Sequence, residues 1–78
     1  MSQENKILNR KILARNVIVL RTNTGISREE LSLALGFDTS YISKLEKCKI
    51  NITIDRLTQI ADYFGVELKD LFLNVRKN

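Results

Sequence analysis

The chain has 78 residues, of which 44% are hydrophobic and 28% are charged, and its net charge is +4. This length suits one domain with a small core, and no apolar run approaches the roughly 18 residues of a membrane-spanning helix, so an integral membrane protein is not expected. The start lacks the plan of a secretory signal, and the single cysteine has no partner in the chain, which favours a soluble protein of the reducing cytoplasm.

The positive charge is concentrated in the first part of the chain. Residues 1–50 contain nine Lys or Arg against five Asp or Glu, whereas residues 51–78 contain four of each. A positive surface attracts polyanions and raises the rate at which they are encountered. Charge alone is equally compatible with a solubilising surface, so the arrangement of the residues has to decide between the two.

A long first helix is predicted from about Lys6 to Thr22, because no Gly or Pro interrupts its apolar periodicity. Residues 1–5 are polar and are expected to be frayed. Ile18 widens the apolar arc, and we expect it in the core rather than in a subunit contact. The inner stripe near the end of the helix is predicted to contain Leu13, Val17 and Leu20.

A second helix is predicted after a turn at residues 23–25. Ser27 and Glu30 have the spacing of a capping box, in which each side chain bonds to the other residue's backbone N–H. Gly36 then ends the helix, since glycine takes a left-handed backbone without a Cβ penalty. The face between these signals is apolar, at Leu31, Ala34 and Leu35.

A third helix is predicted from about Asp38 to Lys47, with Asp38 or Thr39 as its cap. Ile42 and Leu45 would point inward. Hydroxyl and ammonium groups, which are donors suited to base edges and phosphates, occupy the opposite face. That face carries Thr39, Ser40, Ser43, Lys44 and Lys47. Two short helices with a tight turn and a polar, cationic face on the second indicate a helix-turn-helix, at about residues 27–47, and nucleic-acid binding.

The rest of the chain predicts two more helices. Thr53 is the expected cap of a fourth helix that ends at Gly65. Its inner positions are Leu57, Ile60, Ala61 and Phe64. A last short helix after Val66 would place Leu68, Leu71, Phe72 and Val75 on one side. No strand pattern, repeat or linker is evident, so we predict a single all-α domain over residues 1–78 with a compact five-helix fold.

From Arg21 to Phe72 the sequence resembles the Cro/C1-type helix-turn-helix family, the XRE-like regulators with a lambda-repressor-like fold. The resemblance rests on R-x-x-x-G-I-S at residues 21–27, E-E-L at 29–31, L-G-F at 35–37, Y-I-S-K-L-E at 41–46 and the apolar pattern of residues 57–71. The run at residues 40–53 is most similar to the small dimeric controllers of restriction-modification systems. Generic regulators share much of this run, so both alternatives remain open.

The resemblance implies that the third helix enters the major groove of double-stranded DNA. By position, the residues that would read bases are Thr39, Ser40, Ser43 and Lys44. Those expected to contact phosphates are Arg21, Ser27, Arg28, Tyr41, Lys47, Asn51 and Thr53. Arg21 and Glu46 occupy positions that pair across the packed helices in the family, so a structural ion pair is also expected.

A homodimer is predicted because the end of the chain is more apolar than so small a core requires. The dimerisation region is placed at about residues 64–75. The expected interface residues are Leu71, Phe72, Leu73 and Val75.

Three positions depart from the family pattern, and Thr39 lies where many restriction controllers carry an Arg, so their operator sequence is not expected to apply. Ser32 stands where relatives prefer Ala, and its small side chain is expected to be tolerated. Cys48 replaces the usual glycine after the third helix, and Ile52 replaces a common proline. A left-handed Cys48 would cost about 1 kcal/mol or more, which favours another path for the loop.

An enzyme is not expected, because the sequence has no His, no nucleophile paired with a base, no cluster of metal ligands and no glycine-rich phosphate loop. No cofactor, metal, membrane or small-molecule ligand is predicted. The expected partners are a double-stranded DNA operator and a second copy of the chain, with RNA polymerase as a further candidate. The alternative is a helix-turn-helix that binds a protein, as in an antitoxin or an anti-repressor.

Overall fold

The computed structural model describes residues 3–73, and this range forms four α-helices and one short 3-10 helix. The helices are α1 (Gln3–Thr24), α2 (Arg28–Ala34), α3 (Tyr41–Glu46) and α4 (Ile54–Phe64), and the 3-10 helix is Leu68–Phe72. The prediction of an all-helical fold is confirmed for this range. The count of five α-helices is not confirmed, because the fifth predicted element is a 3-10 helix of five residues.

One apolar core joins all five elements. α1 packs against α3 and the 3-10 helix, α2 packs against α3, and α4 packs against the 3-10 helix. The buried cluster contains Leu13, Val17, Leu31, Phe37, Ile42, Leu45, Leu57, Ile60, Ala61 and Leu71. Most of the predicted inner positions therefore meet in the middle of the molecule. Leu20, Leu35 and Phe64 pack against this cluster while partly buried, and the predicted inward position of Ala34 was wrong, because Ala34 is exposed at the end of α2. None of the helices within residues 3–73 combines the length and apolar character needed to cross a membrane.

Helix α1 is longer than predicted, since it begins at Gln3 and continues to Thr24. Val17 is fully buried, but Ile18 is 36% exposed and Val19 is 47% exposed. The prediction that Ile18 lies in the core was wrong. Successive residues of a helix are about 100° apart around its axis, so burying Val17 turns Ile18 away from the core.

The predicted signals at the ends of α2 and α4 are present. Ser27 and Glu30 form the capping box: Glu30 N donates to Ser27 Oγ at 3.0 Å, and Ser27 N donates to Glu30 Oε1 at 2.9 Å. Thr53 caps α4 by accepting from Arg56 N at 3.2 Å, and Gly65 ends it with a left-handed backbone, φ 69°. These ends depend on local contacts, which sequence spacing can reveal.

The C-terminal part of the described chain is fastened to α1 by a buried side chain. Asn16 is 7% exposed, and its Nδ2 donates to the carbonyls of Leu71 at 2.7 Å and Leu73 at 2.9 Å. Leu71 has no exposed surface, so its predicted place in a dimer interface is corrected to the core of the single chain. Phe72 and Leu73 stay at the surface, while the predicted interface residue Val75 lies outside the described residues.

Candidate nucleic-acid interface

Helix α3 begins later than predicted, and one of its first N–H groups is bound by a residue of α2. Its first residue is Tyr41, whose N–H donates to the Asp38 carbonyl at 2.9 Å, and the residue before the helix, Ser40, makes no side-chain capping bond. The expected cap at Asp38 or Thr39 was wrong. Instead, the Ser32 hydroxyl of α2 accepts from the backbone N–H of Ile42 at 3.1 Å.

Ser32 was predicted only to be tolerated because it is small, but its hydroxyl joins α2 to α3. It is fully buried, and its hydroxyl donates to the Arg28 carbonyl at 3.0 Å while accepting from Ile42. A free N–H at a helix start normally finds a cap from its own segment, but here the cap comes from the preceding helix. Spacing along the sequence could not show this contact, because it joins residues ten positions apart in two elements.

The outer face of α3 presents polar groups to solvent. Ile42 and Leu45 are buried below it. Thr39, Ser40 and Lys44 are exposed and Ser43 is half-buried. Within residues 3–73, no side-chain hydrogen bond or ion pair engages these four predicted base-reading residues. The structure therefore brings them together on one accessible side, with their donors free to bind a ligand.

Glu46 at the end of α3 is the centre of an ion-pair group. Its side chain is 3% exposed, and its carboxylate accepts from Arg21 Nε at 2.8 Å and Nη2 at 3.3 Å. The remaining Arg21 nitrogen, Nη1, donates to the Ile26 carbonyl at 3.1 Å. Arg28 reaches the same carboxylate, with Nη1 3.6 Å from Oε1, but its side chain is 54% exposed.

The two arginines consequently differ in what they can offer a ligand. The Arg21 side chain is 14% exposed, and each of its nitrogens has a partner within the protein. The predicted Arg21–Glu46 pair is formed. Its three hydrogen bonds leave two of the five guanidinium N–H groups over, and the phosphate contact of Arg21 stays a prediction. Arg28 keeps an exposed guanidinium beside the start of α2, where the helix dipole adds positive potential.

An aromatic pair lies at the start of α3, and the guanidinium of Arg56, which the sequence analysis missed, packs on both rings. The rings of Phe37 and Tyr41 are 4.7 Å apart, and the Arg56 guanidinium lies 4.7 Å from the centre of each. Such a position stabilises the cation through the ring quadrupoles. Arg56 follows the Thr53 cap of α4, so the contact fixes the start of α4 against the start of α3.

The loop after α3 takes the path that glycine would take. Cys48 has φ 60°, its N–H donates to the Leu45 carbonyl at 3.0 Å, and Lys49 N donates to the Lys44 carbonyl at 2.9 Å. This pair of bonds is a Schellman motif, which requires a left-handed residue. The expected alternative path was wrong, because closing the carbonyls at the end of α3 offsets the strain at Cys48.

Beyond Cys48 the loop is tied back to α1. Arg10 Nη2 donates to Asn51 Oδ1, a contact between residues 41 positions apart. Asn51 and Thr53, both predicted phosphate contacts, are exposed, as is Lys47 at the end of α3. Sequence reasoning missed Arg10, since nothing in helix periodicity shows which loop a charged residue will meet.

An apolar cavity of about 210 Å³ lies behind this loop. Its walls include Leu13, Leu45, Ile50, Ile52, Leu57 and Phe72. Within the described part of the chain, no group of three His, Cys, Asp or Glu side chains is arranged to hold a metal ion. The exposed residues among the predicted DNA contacts carry hydroxyl, amide, ammonium and guanidinium donors, and the exposed carboxylates of Asp38 and Asp55 lie in the same segments.

Comparisons with known proteins agree with this architecture. The Helix-turn-helix family matches residues 19–71. A hypothetical transcription factor from Neisseria meningitidis is 36% identical over 64 residues, which are 82% of this chain and 60% of that protein. This chain therefore spans about 60% of the length of that relative. An uncharacterised helix-turn-helix-type transcriptional regulator from Sinorhizobium fredii is 34% identical over 62 residues, 80% of each chain.

Solved structures show the same fold. The crystal structure of the Neisseria factor has a TM-score of 0.80 at 35% identity, covering 83% of this chain and 75% of that one. The restriction-modification controller protein C.AhdI from Aeromonas hydrophila has a TM-score of 0.75 at 27% identity, covering 81% of this chain and 96% of that one. The family match runs from the end of α1 into the 3-10 helix, so it contains α2, α3 and α4 whole.

Proposed function

Because the chain belongs to the Cro/C1-type helix-turn-helix family of transcription regulators, we propose that it binds double-stranded DNA sequence-specifically, as a dimer on a pseudo-palindromic operator. The observation that carries the proposal is the exposed surface formed by the outer face of α3 and the turn before it. Ser43 and Lys44 lie on α3 and Thr39 and Ser40 in the turn, with their donors free, and the apolar side of α3 fixes the helix to the core. In the major groove these donors would meet the acceptor groups of base edges.

Phosphate contacts would hold this helix in register. Arg28 offers an exposed guanidinium at the start of α2, beside the Ser27 cap, and Lys47 extends the cationic side of α3. Asn51 and Thr53 would add donors from the loop and from the start of α4, a helix whose first amides favour anions. Tyr41, half-buried beneath Arg56, would lie along the sugar-phosphate backbone.

The dimer would form through the surface next to the 3-10 helix. Phe72 is 40% exposed and Leu73 is 53% exposed, and Asn16 fixes the backbone on both sides of Phe72. Tyr63, on α4, is 44% exposed. A two-fold interface here would give two recognition helices, which reach successive major grooves when they are roughly 34 Å apart.

The controller of a restriction-modification system is the more specific role that we propose. It is supported by the similarity to C.AhdI, which covers 96% of that controller's length. Such a regulator acts from the cytoplasm by where it sits on DNA, and its position would decide whether RNA polymerase is blocked or recruited. The wider class of generic regulators, represented by the Neisseria factor, is the alternative within the same mechanism.

The test is to find the operator by footprinting fragmented genomic DNA with the purified protein and then to titrate the best site at several salt concentrations. We expect a palindromic site whose affinity falls steeply with salt. For each tenfold rise in salt concentration, the binding constant should fall by about 0.9 logarithmic units per phosphate contacted. Binding without a preferred site, or an affinity insensitive to salt, would contradict the proposal and favour a protein partner.

Two variants separate base reading from phosphate contact. Lys44→Ala should lower the preference for the operator over random DNA by about 1–3 kcal/mol, because a base-edge contact is lost. Arg28→Ala should weaken binding to both DNAs alike and reduce the salt slope by about 1. Equal losses of preference from both variants would refute these roles, and thermal melting checks that both proteins are folded.

The dimer is tested by placing a charge on its proposed surface. Phe72→Glu should give monomers in sedimentation velocity, because a buried carboxylate without a partner opposes association. Ile54→Glu is the matched control, since Ile54 is 64% exposed on α4 and has no proposed interface role. A dimer that survives Phe72→Glu but not Ile54→Glu would move the interface to the other end of α4.

A further inference from the structure

We propose that Arg10 and Asn51 act as one phosphate-binding pair, in which Arg10 orients the amide of Asn51 and adds a positive charge beside it. The inference rests on the DNA binding proposed above and extends the contact surface to α1. The observation behind it is the hydrogen bond from Arg10 Nη2 to Asn51 Oδ1, which closes the loop after α3 onto the third turn of α1.

The bond decides which side of the Asn51 amide faces outward. A guanidinium has only donors, so it can meet the amide oxygen of Asn51 but not its NH2 group. The Nδ2 group is then turned away from Arg10, and within residues 3–73 it has no hydrogen-bond partner. Asn51 is exposed, so its two N–H donors are presented to solvent in a fixed direction.

Arg10 is held for this task by its own packing. Its side chain is half-buried and lines the apolar cavity that Leu13, Leu45 and Ile50 help to form. An arginine can bury its aliphatic stem on such a wall while keeping the charged group at the rim. The anchored stem reduces the conformational freedom that a surface arginine would otherwise lose on binding a phosphate.

The charge around the pair favours an anion. In the part of the chain that the structure describes, no carboxylate lies within ion-pair distance of Arg10, so its charge is not neutralised. Lys47 and Lys49 flank the same loop and are exposed. A DNA phosphate, which accepts several hydrogen bonds and carries a negative charge, matches two amide donors beside a guanidinium.

The test uses a random-sequence duplex, since a phosphate contact does not depend on base sequence. Arg10→Met keeps an apolar stem of similar length and should weaken binding about tenfold, the value of one charge-assisted hydrogen bond. It should also reduce the salt slope by about 0.9, because one fewer counterion is released. Lys11→Met is the matched control, since it removes the same charge from the neighbouring exposed position and should leave the slope unchanged.

A second variant keeps the contact between Arg10 and residue 51 and removes only the N–H donors of the Asn51 amide. Asn51→Asp retains an oxygen for Arg10, so the free protein should melt at or above the wild-type temperature, but it presents a carboxylate where the amide donors were. Binding should fall further than with Asn51→Ala. In the double variant Arg10→Met/Asn51→Ala, the loss should be smaller than the product of the two single losses, because both belong to one contact.

The outcomes separate this inference from the proposed function. If wild-type protein shows no salt-dependent DNA binding, the proposed function fails first. If the wild type binds but Arg10→Met and Lys11→Met have equal slopes, or Asn51→Asp binds as the wild type does, the pair only fastens the loop and the inference is overturned.

Discussion

The hydrogen bond between α2 and α3 gives the sharpest prediction for stability. In Ser32→Ala the backbone N–H of Ile42 loses its acceptor, and nothing in the neighbourhood is expected to replace it, because Ser32 is fully buried and water has no access. The substitution removes one oxygen and leaves the apolar contacts in place. Its effect therefore measures the contact between the two helices.

The magnitude follows from what the N–H loses. A buried donor without a partner costs about 1–3 kcal/mol, and we expect about 2 kcal/mol for Ile42. The opposing gain is small, since Ala has a better helix propensity than Ser by less than about 0.7 kcal/mol. In a domain of this size, a loss of 2 kcal/mol lowers the melting temperature by about 8–16 °C. A loss of this size would show that Ser32 stabilises the fold, which goes beyond the prediction that a small side chain is tolerated there.

Urea unfolding followed by circular dichroism measures this loss, and amide hydrogen exchange locates it. Ser40→Ala is the matched control, because Ser40 precedes α3 but makes no side-chain capping bond. It should change stability by less than about 0.5 kcal/mol, as surface substitutions usually do. The reasoning is refuted if Ser32→Ala is as stable as Ser40→Ala, or if the exchange protection of Ile42 is unchanged.

Three further predictions concern charge and backbone strain. Arg21→Met should lower the free energy of unfolding in urea by about 3–5 kcal/mol, because the Glu46 carboxylate stays buried with only Arg28 nearby. The double variant Arg21→Met/Glu46→Leu should recover most of this loss, and a loss below about 1 kcal/mol in the single variant would contradict the reasoning. The pKa of Glu30 lies below its ordinary value of 4.5, mainly because its carboxylate accepts from the backbone N–H of Ser27 and, to a smaller extent, because of the Ser27 hydroxyl. The ionised carboxylate therefore stabilises the fold above pH 4.5, and this stabilisation is lost as the pH falls through the lowered pKa. Glu30→Gln should therefore make stability less dependent on pH in acid, and an unchanged pH profile would count against the capping box as its source. Cys48→Gly should raise the free energy of unfolding by about 1 kcal/mol, since glycine adopts φ 60° without strain; a loss of stability would show that packing of the thiol matters more.

What could be predicted from the sequence was local. The capping box at Ser27, the Thr53 cap and the glycine at the end of α4 were placed correctly, because each depends on residues within one turn. Most inner positions of the helices followed from their apolar spacing, with the exposed Ala34 as an exception. Periodicity was less informative for α1, where Ile18 and Val17 are both apolar and only packing determines which of them is buried.

What could not be predicted was contact between distant elements. Ser32 capping α3, Arg56 stacked on two rings and Arg10 bound to the loop each join residues whose proximity the fold creates. The last element was misjudged for a similar reason. Asn16 donates to the carbonyls on both sides of Phe72. The segment held in this way is a 3-10 helix with Leu71 buried, and it does not continue as an α-helix.

These distant contacts bear on how α3 can recognise a ligand. Six residues are too few to form a stable helix alone, since isolated helices shorter than about 12 residues are marginal in water. Tertiary contacts therefore have to hold α3: Ser32 at its start, Arg56 against Tyr41, and Arg21 with Arg28 on Glu46 at its end. Because these contacts set the orientation of α3, substitutions buried beneath α3, such as Ser32→Ala, should impair discrimination between DNA sequences without touching DNA.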